Sequence, residues 1–275
     1  MLAQPRLNQF LDAVCDESRP IIPASDVAVV VAHPDDETVG CGALISRLLE
    51  VSVVVVTNGA PDDGVDARAH GFSDEKAYAA VRSGELDHAL QIAGVSADRT
   101  IRLGVADQQA ARQMPQVVCA LEQLFEKRGI AVVLTHAYEG GHPDHDAVGC
   151  CVQVAASRAG RAIGIIEMPY YRLGRSGEEI QNFPAGSGTL RVLLTETERA
   201  IKRSMIEAHR TQKDVLAAFS LDREQFRVAP QHDFSKPPNG GRVLYDARPW
   251  GLTSVEWLAC AKAVLEPASM APCNR

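Results

Sequence analysis

The chain alternates short apolar runs of β-branched residues with longer stretches of helical pattern, and this alternation constrains the fold more than any other feature. Such runs are typical of strands buried on both faces of a parallel sheet. The stretches between them are rich in Ala or long side chains, with polar residues on one side, as in amphipathic helices. The predicted strands span residues 27–31, 51–56, 100–103, 130–134 and 163–168, and the predicted helices span about 40–50, 74–94, 112–128 and 146–159.

This order of elements predicts an α/β fold, a Rossmann-like three-layer sandwich with a mainly parallel sheet. At 275 residues the chain can bury a full core, and we expect residues 1–275 to form a single domain. The Rossmann-like core is expected to cover about residues 25–170, and a C-terminal elaboration is expected to cover residues 171–275.

The C-terminal third carries two helix-start signals separated by segments rich in Gly and Pro. Thr195 and Thr253 each precede a Glu by three residues, which is the capping-box spacing. The first signal predicts a helix that runs to about residue 219, and the second predicts a final helix. Residues 172–188 and 230–241 are predicted to be loops, and we expect the first of these to lie near the substrate, where it could act as a lid.

The charge balance excludes some partners. The chain has 28 Lys and Arg against 35 Asp and Glu, a formal net charge of −7 at pH 7. Nucleic acids and anionic lipid surfaces select clustered Lys and Arg, so we expect neither as the main partner. No segment reaches the length of a membrane span and the N-terminus lacks a signal-peptide pattern, which predicts a cytoplasmic protein. The oligomeric state is left open, a homo-oligomer included.

Two short clusters of histidines and carboxylates directly follow predicted strands. The first is Ala32-His33-Pro34-Asp35-Asp36-Glu37, and the second is Gly141-His142-Pro143-Asp144-His145. The carboxyl ends of parallel strands share one edge of a sheet, where open α/β folds hold their active sites, so we expect the two clusters to meet. Imidazole and carboxylate groups are ligands of catalytic metal ions. The sequence therefore predicts a metal-assisted enzyme.

The spacing within the clusters indicates a role for each side chain. His33 and Asp36 lie three residues apart across a turn, and His145 is the natural third ligand from the second cluster. Two imidazoles and one carboxylate, with open positions for water, are typical of catalytic zinc. Asp35 is then free to take a proton from the attacking water. His142 is placed to stabilise a developing oxyanion as an imidazolium or to protonate a leaving amine.

Both clusters resemble motifs of the PIG-L or LmbE-like family of metal-dependent de-N-acetylases, whose members remove acetyl groups from N-acetylglucosaminyl lipids and thiol-precursor glycosides. The family's Ala-His-Pro-Asp-Asp-Glu stands here at residues 32–37, and its His-x-x-His stands at residues 142–145. The resemblance implies Zn²⁺ as the cofactor and a small-molecule N-acylated amino sugar as the substrate. By position it implies these roles: zinc ligands His33, Asp36 and His145, general base Asp35, and charge-stabilising His142.

The resemblance spans roughly residues 25–160 and includes two further motifs. An Arg-x-x-Glu pair stands at Arg82 and Glu85, and a Leu-Gly-x-x-Asp stretch ends at Asp107. The family match implies that Arg82 and Asp107 face the sugar hydroxyls. Tyr138 resembles an upstream tyrosine that some members aim at the substrate carbonyl, although its spacing does not match. Residues 245–251 are a further candidate contribution to the site.

Two other functions are compatible with the same residues. A set of two histidines and one carboxylate also describes a non-haem Fe(II) oxygenase, and Fe²⁺ is an alternative cofactor. The strand–helix alternation and the additional Asp35 and His142, which hydrolysis uses, favour the hydrolase. A non-catalytic binding module on the same sheet would have little reason to keep all five side chains. The sequence specifies neither the acyl group, acetyl or formyl, nor the aglycone.

Overall fold

The computed structural model describes residues 5–16 and 18–266 of the chain. Its strands are, in chain order, β1 (Ile22–Pro23), β2 (Val27–Val31), β3 (Leu48–Leu49), β4 (Ser52–Pro61), β5 (Thr100–Asp107), β6 (Val132–His136), β7 (Gly164–Met168), β8 (Tyr171–Leu173), β9 (Glu178–Ile180), β10 (Leu190–Leu193) and β11 (Arg223–Val228). Its α-helices are α1 (Pro5–Cys15), α2 (Asp36–Ile45), α3 (Val65–Ala69), α4 (Glu75–Ile92), α5 (Met114–Arg128), α6 (Pro143–Arg158), α7 (Glu196–Ala208), α8 (Lys213–Leu216) and α9 (Ser254–Leu265).

A seven-stranded sheet runs through the molecule in the order β10-β11-β7-β6-β2-β4-β5. Strands β7, β6, β2, β4 and β5 are parallel, and β11 and β10 extend one edge in antiparallel fashion. The strand order reverses between β2 and β6, the switch point at which open α/β sheets bind ligands. The predicted Rossmann-like architecture with a mainly parallel sheet is confirmed.

Strand β2 shows why the sequence pattern produces three layers. Side chains alternate between the two faces of a strand, so a central strand needs apolar residues at every position. Val27, Val29 and Val31 enter the core on one face of the sheet, whereas Ala28 and Val30 enter the core on the other. Helices α1, α2, α4 and α7 cover the first face, and helices α5, α6 and α9 cover the second.

The C-terminal third contributes to every layer of this sandwich. It supplies α7 to one face, α9 to the other, and β10 and β11 to the sheet itself. We therefore propose that the chain forms one domain, whose two cores both depend on residues beyond 170. The first four and last nine residues of the proposed 1–275 range lie outside the described residues.

The boundaries of several elements differ from the sequence predictions. Helices α2 and α6 begin at Asp36 and Pro143, within the two polar clusters, because carboxylates are stabilised in the first turn of a helix. The helix that opens at Thr195 ends at Ala208 rather than near residue 219, since the backbone leaves the helical range at His209. The predicted loop at 172–188 contains most of the β8–β9 hairpin. Helix α1 and strands β10 and β11 were not predicted.

A kink in α2 is filled by a buried ion pair from the C-terminal third. At Cys41 the backbone leaves the helical range (φ −152°, ψ 30°), so the Val39 carbonyl and the Ala43 amide need partners outside the helix. Lys202 of α7 donates to the Val39 carbonyl at 2.9 Å. Glu224 of β11 accepts from the Ala43 amide at 2.8 Å. Lys202 and Glu224 are buried and pair with each other at 2.9 Å.

Replacing Lys202 by Met is expected to lower the free energy of unfolding by about 3–5 kcal/mol, because it leaves the Glu224 carboxylate buried without its cation. Chemical denaturation followed by circular dichroism measures this loss. Lys76→Met, at an exposed position of α4, is the matched control and should change the free energy by about 0.5 kcal/mol or less. Equal losses in the two variants would contradict the assigned role of the ion pair.

Candidate active site

The two polar clusters meet at the switch point of the sheet. The first follows β2 and continues into α2, and the second follows the loop after β6 and continues into α6. The side chains that the sequence analysis singled out there lie at the carboxyl edge of the sheet, and each residue is at most 8% exposed. They are His33, Asp35, Asp36, His142 and His145.

The three predicted metal ligands bring their donor atoms together in a compact group, called here the donor triangle, to which Asp36 contributes both of its oxygens. His33 Nδ1 lies 3.2 Å from His145 Nε2 and 3.2 Å from Asp36 Oδ2. His145 Nε2 lies 3.3 Å from the other oxygen of Asp36. Donors that share a tetrahedral ion at about 2.0–2.1 Å are about 3.3–3.4 Å from one another by geometry. The donor set and its spacing therefore fit a divalent metal ion.

The outer nitrogen of His33 is held by two carboxylates. Asp107, at the end of β5, lies 3.0 Å from His33 Nε2, and an Asp144 oxygen lies 3.5 Å from it. Asp144 in turn accepts hydrogen bonds from the backbone of Gln108 and Ala110, which ties the loop after β5 to α6. Burial alone would raise the pKa of Asp107, but the adjacent His33 lowers it below the usual range. These contacts orient the ring so that Nδ1 faces the donor triangle.

Asp35 is held in an unusual backbone conformation beside the triangle. Its φ of 149° is rare for any residue other than glycine, and strain of this kind persists only where surrounding contacts enforce it. Its Oδ2 accepts a hydrogen bond from Arg82 at 2.8 Å. Burial raises the pKa of Asp35 to about 7 even though Arg82 opposes the shift. A carboxylate with such a pKa is suited to accept a proton near neutral pH.

Arg82 is buried and joins the segment after β2 to strand β4. It donates to the Pro34 carbonyl at 3.1 Å, to Asp35, and to the Gly59 carbonyl within β4. It also lies 4.0 Å from an Asp107 oxygen. The structure therefore brings Arg82 and Asp107 to the site, where both side chains are paired with other site residues. Their contact with sugar hydroxyls stays a prediction. Glu85, three residues after Arg82, instead binds Thr211.

Replacing Gly59 by Ala is expected to lower kcat/KM by about tenfold to a hundredfold, the size expected when a site residue is displaced. A Cβ at Gly59 would lie 2.5 Å from the Arg82 guanidinium, so Arg82 has to move away from Asp35. Steady-state kinetics measures the effect. Gly129→Ala is the matched control, because Gly129 also has a positive φ but nothing lies within 4 Å of its Cβ position. A Gly59 variant as active as the Gly129 variant would contradict the role given to Arg82.

His142 caps helix α6 and faces the donor triangle. Its Nδ1 accepts from the Asp144 amide at 3.2 Å, so its Nε2 carries the proton and can donate. Burial lowers the pKa of His142 well below the usual range, which favours the neutral imidazole. The ring centroid lies 4.7 Å from that of His33 and 4.8 Å from that of Trp250. This geometry favours a neutral hydrogen-bond donor over the imidazolium considered from the sequence.

The sequence pattern does not indicate the contacts that several other residues make at the site. His136, at the end of β6, accepts from the Ala32 amide at 2.8 Å, and its ring stacks on His145 with centroids 4.0 Å apart. Trp250 lies at the mouth of the site, within the segment that was proposed as a contributor. Tyr138 is not directed at a substrate, since its hydroxyl donates to the Lys236 carbonyl at 2.8 Å.

Comparison with known proteins identifies the family. A family model described as PIG-L, GlcNAc-PI de-N-acetylase, matches residues 28–156. A curated Escherichia coli K12 protein, named uncharacterized deacetylase YaiS, is 31% identical over 147 residues, which are 50% of this chain and 71% of the relative. The chain belongs to the PIG-L family. This family member is therefore an enzyme of the deacetylase type, as the sequence analysis predicted.

Solved structures share the fold of this PIG-L family member. The A40926 pseudoaglycone deacetylase Dbv21 is 18% identical, with a TM-score of 0.58 over 75% of this chain and 99% of the other. The N,N'-diacetylchitobiose deacetylase from Pyrococcus horikoshii is 18% identical, with a TM-score of 0.54 over 84% of this chain and 94% of the other. At this level of identity the likeness establishes the fold alone.

Among the described residues of this family member, no helix is both long and apolar enough to cross a membrane.

Proposed function

We propose that the protein is a zinc-dependent hydrolase that removes an N-acetyl or other small N-acyl group from an amino-sugar conjugate. The observation that carries this proposal is the donor triangle of His33, Asp36 and His145, with a strained and buried Asp35 at its side. A binding module would need neither the metal-fitting spacing nor a strained, buried carboxylate beside it.

Zn²⁺ held by His33, Asp36 and His145 would lower the pKa of water and polarise the substrate carbonyl. Fe²⁺ fits the same three side chains. The assignment of the ion as Zn²⁺ is therefore part of the proposal. The membership of the PIG-L family favours hydrolysis over the oxygenase considered for this ligand set.

The protein's own side chains divide the acid–base work. Asp35 accepts a proton from the attacking water and passes it to the nitrogen of the leaving amine. Arg82 holds the Asp35 carboxylate in place through the 2.8 Å hydrogen bond. The Nε2–H of His142 donates to the oxygen of the acyl group as negative charge develops there. The burial of all three residues strengthens these interactions, because little water is present to screen them.

An amino-sugar substrate is supported by the family and by the aromatic residues at the mouth. The matching family model is described as a GlcNAc-PI de-N-acetylase, and the similar solved structures are deacetylases of A40926 pseudoaglycone and of N,N'-diacetylchitobiose. Trp250 lies beside His142, and Tyr171 lies beside His145 with ring centroids 5.5 Å apart. Aromatic faces at this position are suited to pack against a sugar ring or its acyl group.

An assay of free-amine release, with acetate or formate measured as the second product, tests the proposal on a panel of N-acetylglucosaminides. The panel should include simple and extended aglycones and an N-formyl analogue of one member. We expect turnover of at least one member by protein loaded with Zn²⁺, loss of that turnover on chelation, and its recovery on adding the metal back. Bound metal without turnover of any acylated amine in the panel would contradict the proposed function.

A further inference from the structure

The backbone of Asp35 is held by a short-range hydrogen bond that the base role does not by itself explain. The Asp35 amide, at φ 149° and ψ −25°, donates to Glu37 Oε2 at 3.0 Å. Because a non-glycine residue occupies such a conformation only under constraint, this bond is part of what keeps the Asp35 side chain at the donor triangle. Glu37 therefore shapes the site through a backbone contact.

Glu37 is fully buried, so its carboxylate needs partners within the protein. The residue has no exposed surface, and its Oε1 accepts from the Thr38 hydroxyl at 2.5 Å. His209 Nε2 lies 3.4 Å from the same oxygen and 3.3 Å from the Thr38 hydroxyl. A buried carboxylate is tolerated when it is paired and hydrogen-bonded, and the His209 imidazole is a partner that lies against it.

His209 reaches Glu37 from a distant part of the chain. It follows α7, at the point where the backbone turns out of the helix (φ −83°, ψ 65°), and α7 packs in the core layer shared with α2. The residue is 1% exposed, and its Nδ1 has no hydrogen-bond partner among the described residues. Burying this ring leaves a polar atom unsatisfied, a cost that an apolar residue would avoid. The contact with Glu37 accounts for a histidine at this position.

We propose that His209 is a positioning residue, which through Glu37 holds the strained Asp35 backbone and so aims the Asp35 carboxylate at the donor triangle. Arg82 binds the side chain of Asp35 and Glu37 binds its backbone amide, so Asp35 is held by hydrogen bonds at two points. The catalytic consequence rests on the proposed function, in which Asp35 is the base. The effect on the backbone of Asp35 does not depend on that function.

Three variants separate this role from a general contribution to stability. His209→Leu removes the contact with Glu37, and His209→Asn removes it with a smaller polar side chain in case the leucine variant does not fold. His209→Gln keeps an N–H near the position of Nε2 and serves as the conservative rescue. Leu216→Ala is the matched control, because it opens a cavity in the same apolar core without altering Glu37.

Hydrogen exchange of the Asp35 amide, followed by NMR on protein labelled with [¹⁵N]aspartate, measures the backbone effect directly. We expect the amide to exchange at least about tenfold faster in the Leu and Asn variants than in wild type, and to stay protected in His209→Gln. In Leu216→Ala, exchange at Asp35 should change only as much as exchange at other buried amides. Unchanged protection in His209→Leu or His209→Asn would overturn the proposal, whether or not the protein hydrolyses any substrate tested.

Kinetics and metal content measure the catalytic effect. We expect kcat to fall by about tenfold to a hundredfold in the Leu or Asn variant, the usual cost of losing a partner that orients a site residue. KM and metal content should stay close to wild type, and His209→Gln should recover most of kcat. An equal fall in kcat in Leu216→Ala, or a loss of metal from the His209 variants, would show that His209 has a merely structural role. Either result would overturn the proposal.

Discussion

Asp35→Asn is expected to lower kcat by about a hundredfold to ten-thousandfold while the protein keeps its metal. The amide has nearly the same shape as the carboxylate, and its oxygen can still accept from Arg82, but it cannot take up a proton. The backbone bond to Glu37 is unaffected, since it uses the main-chain amide of residue 35. Steady-state kinetics together with metal analysis of the same samples measures both parts of the expectation.

Asp62→Asn is the control for this variant, because Asp62 is an exposed carboxylate in a turn. We expect it to have the activity and metal content of wild type. If Asp35→Asn retained a third or more of the wild-type kcat, Asp35 would not be the base. If it lost its metal, the residue would act on the ion site rather than on the proton.

His33→Ala is expected to abolish metal binding at the donor triangle and with it the activity. The change removes one of three donors and also leaves Asp107 and Asp144 without the imidazole that lies between them. Two close, buried carboxylates that lose a shared partner repel each other, so the site is also expected to distort. Elemental analysis after dialysis against metal-free buffer should find one ion per wild-type chain and less than about a tenth of that in the variant.

His88→Ala is the matched control for His33→Ala, because His88 is exposed on α4. It should bind metal like wild type. A His33→Ala variant that held a full equivalent of metal would place the ion elsewhere in the protein. Activity in that variant close to wild type would contradict the mechanism as a whole.

The meeting of the two polar clusters could be predicted because it depends on simple geometry. Each cluster follows a β-branched run, and the carboxyl ends of parallel strands lie along one edge of the sheet. His33 and Asp36 belong to one turn, so only His145 had to be brought in from another strand. The uninterrupted run of apolar residues in β2 likewise predicts a strand covered on both faces.

The pairing of side chains within the site could not be predicted from the same pattern. Arg82 of α4 pairs with Asp35 after β2, and Asp107 at the end of β5 pairs with His33 after β2. Sequence spacing carries no information on which of several nearby carboxylates an arginine contacts. The resemblance to the family implies sugar contacts for Arg82 and Asp107, and these contacts stay a prediction.

The contacts that the C-terminal third makes with α2 could not be predicted from the sequence either. The capping boxes predict α7 and α9, but they do not indicate that Lys202 and His209 project from α7 and its end toward α2. Both residues act through the first cluster's helix: Lys202 fills its kink, and His209 pairs with Glu37 in its first turn. Such contacts depend on which helices pack against each other. The periodicity of a single sequence indicates the buried face of a helix but not the helix that it packs against.

The most direct test of the account is the position of the metal in a crystal of protein loaded with Zn²⁺, measured by anomalous scattering at the zinc edge. We predict one strong peak at about 2.0–2.2 Å from His33 Nδ1, His145 Nε2 and a carboxylate oxygen of Asp36. A peak bound to other residues, with these three atoms left unligated, would contradict the central claim.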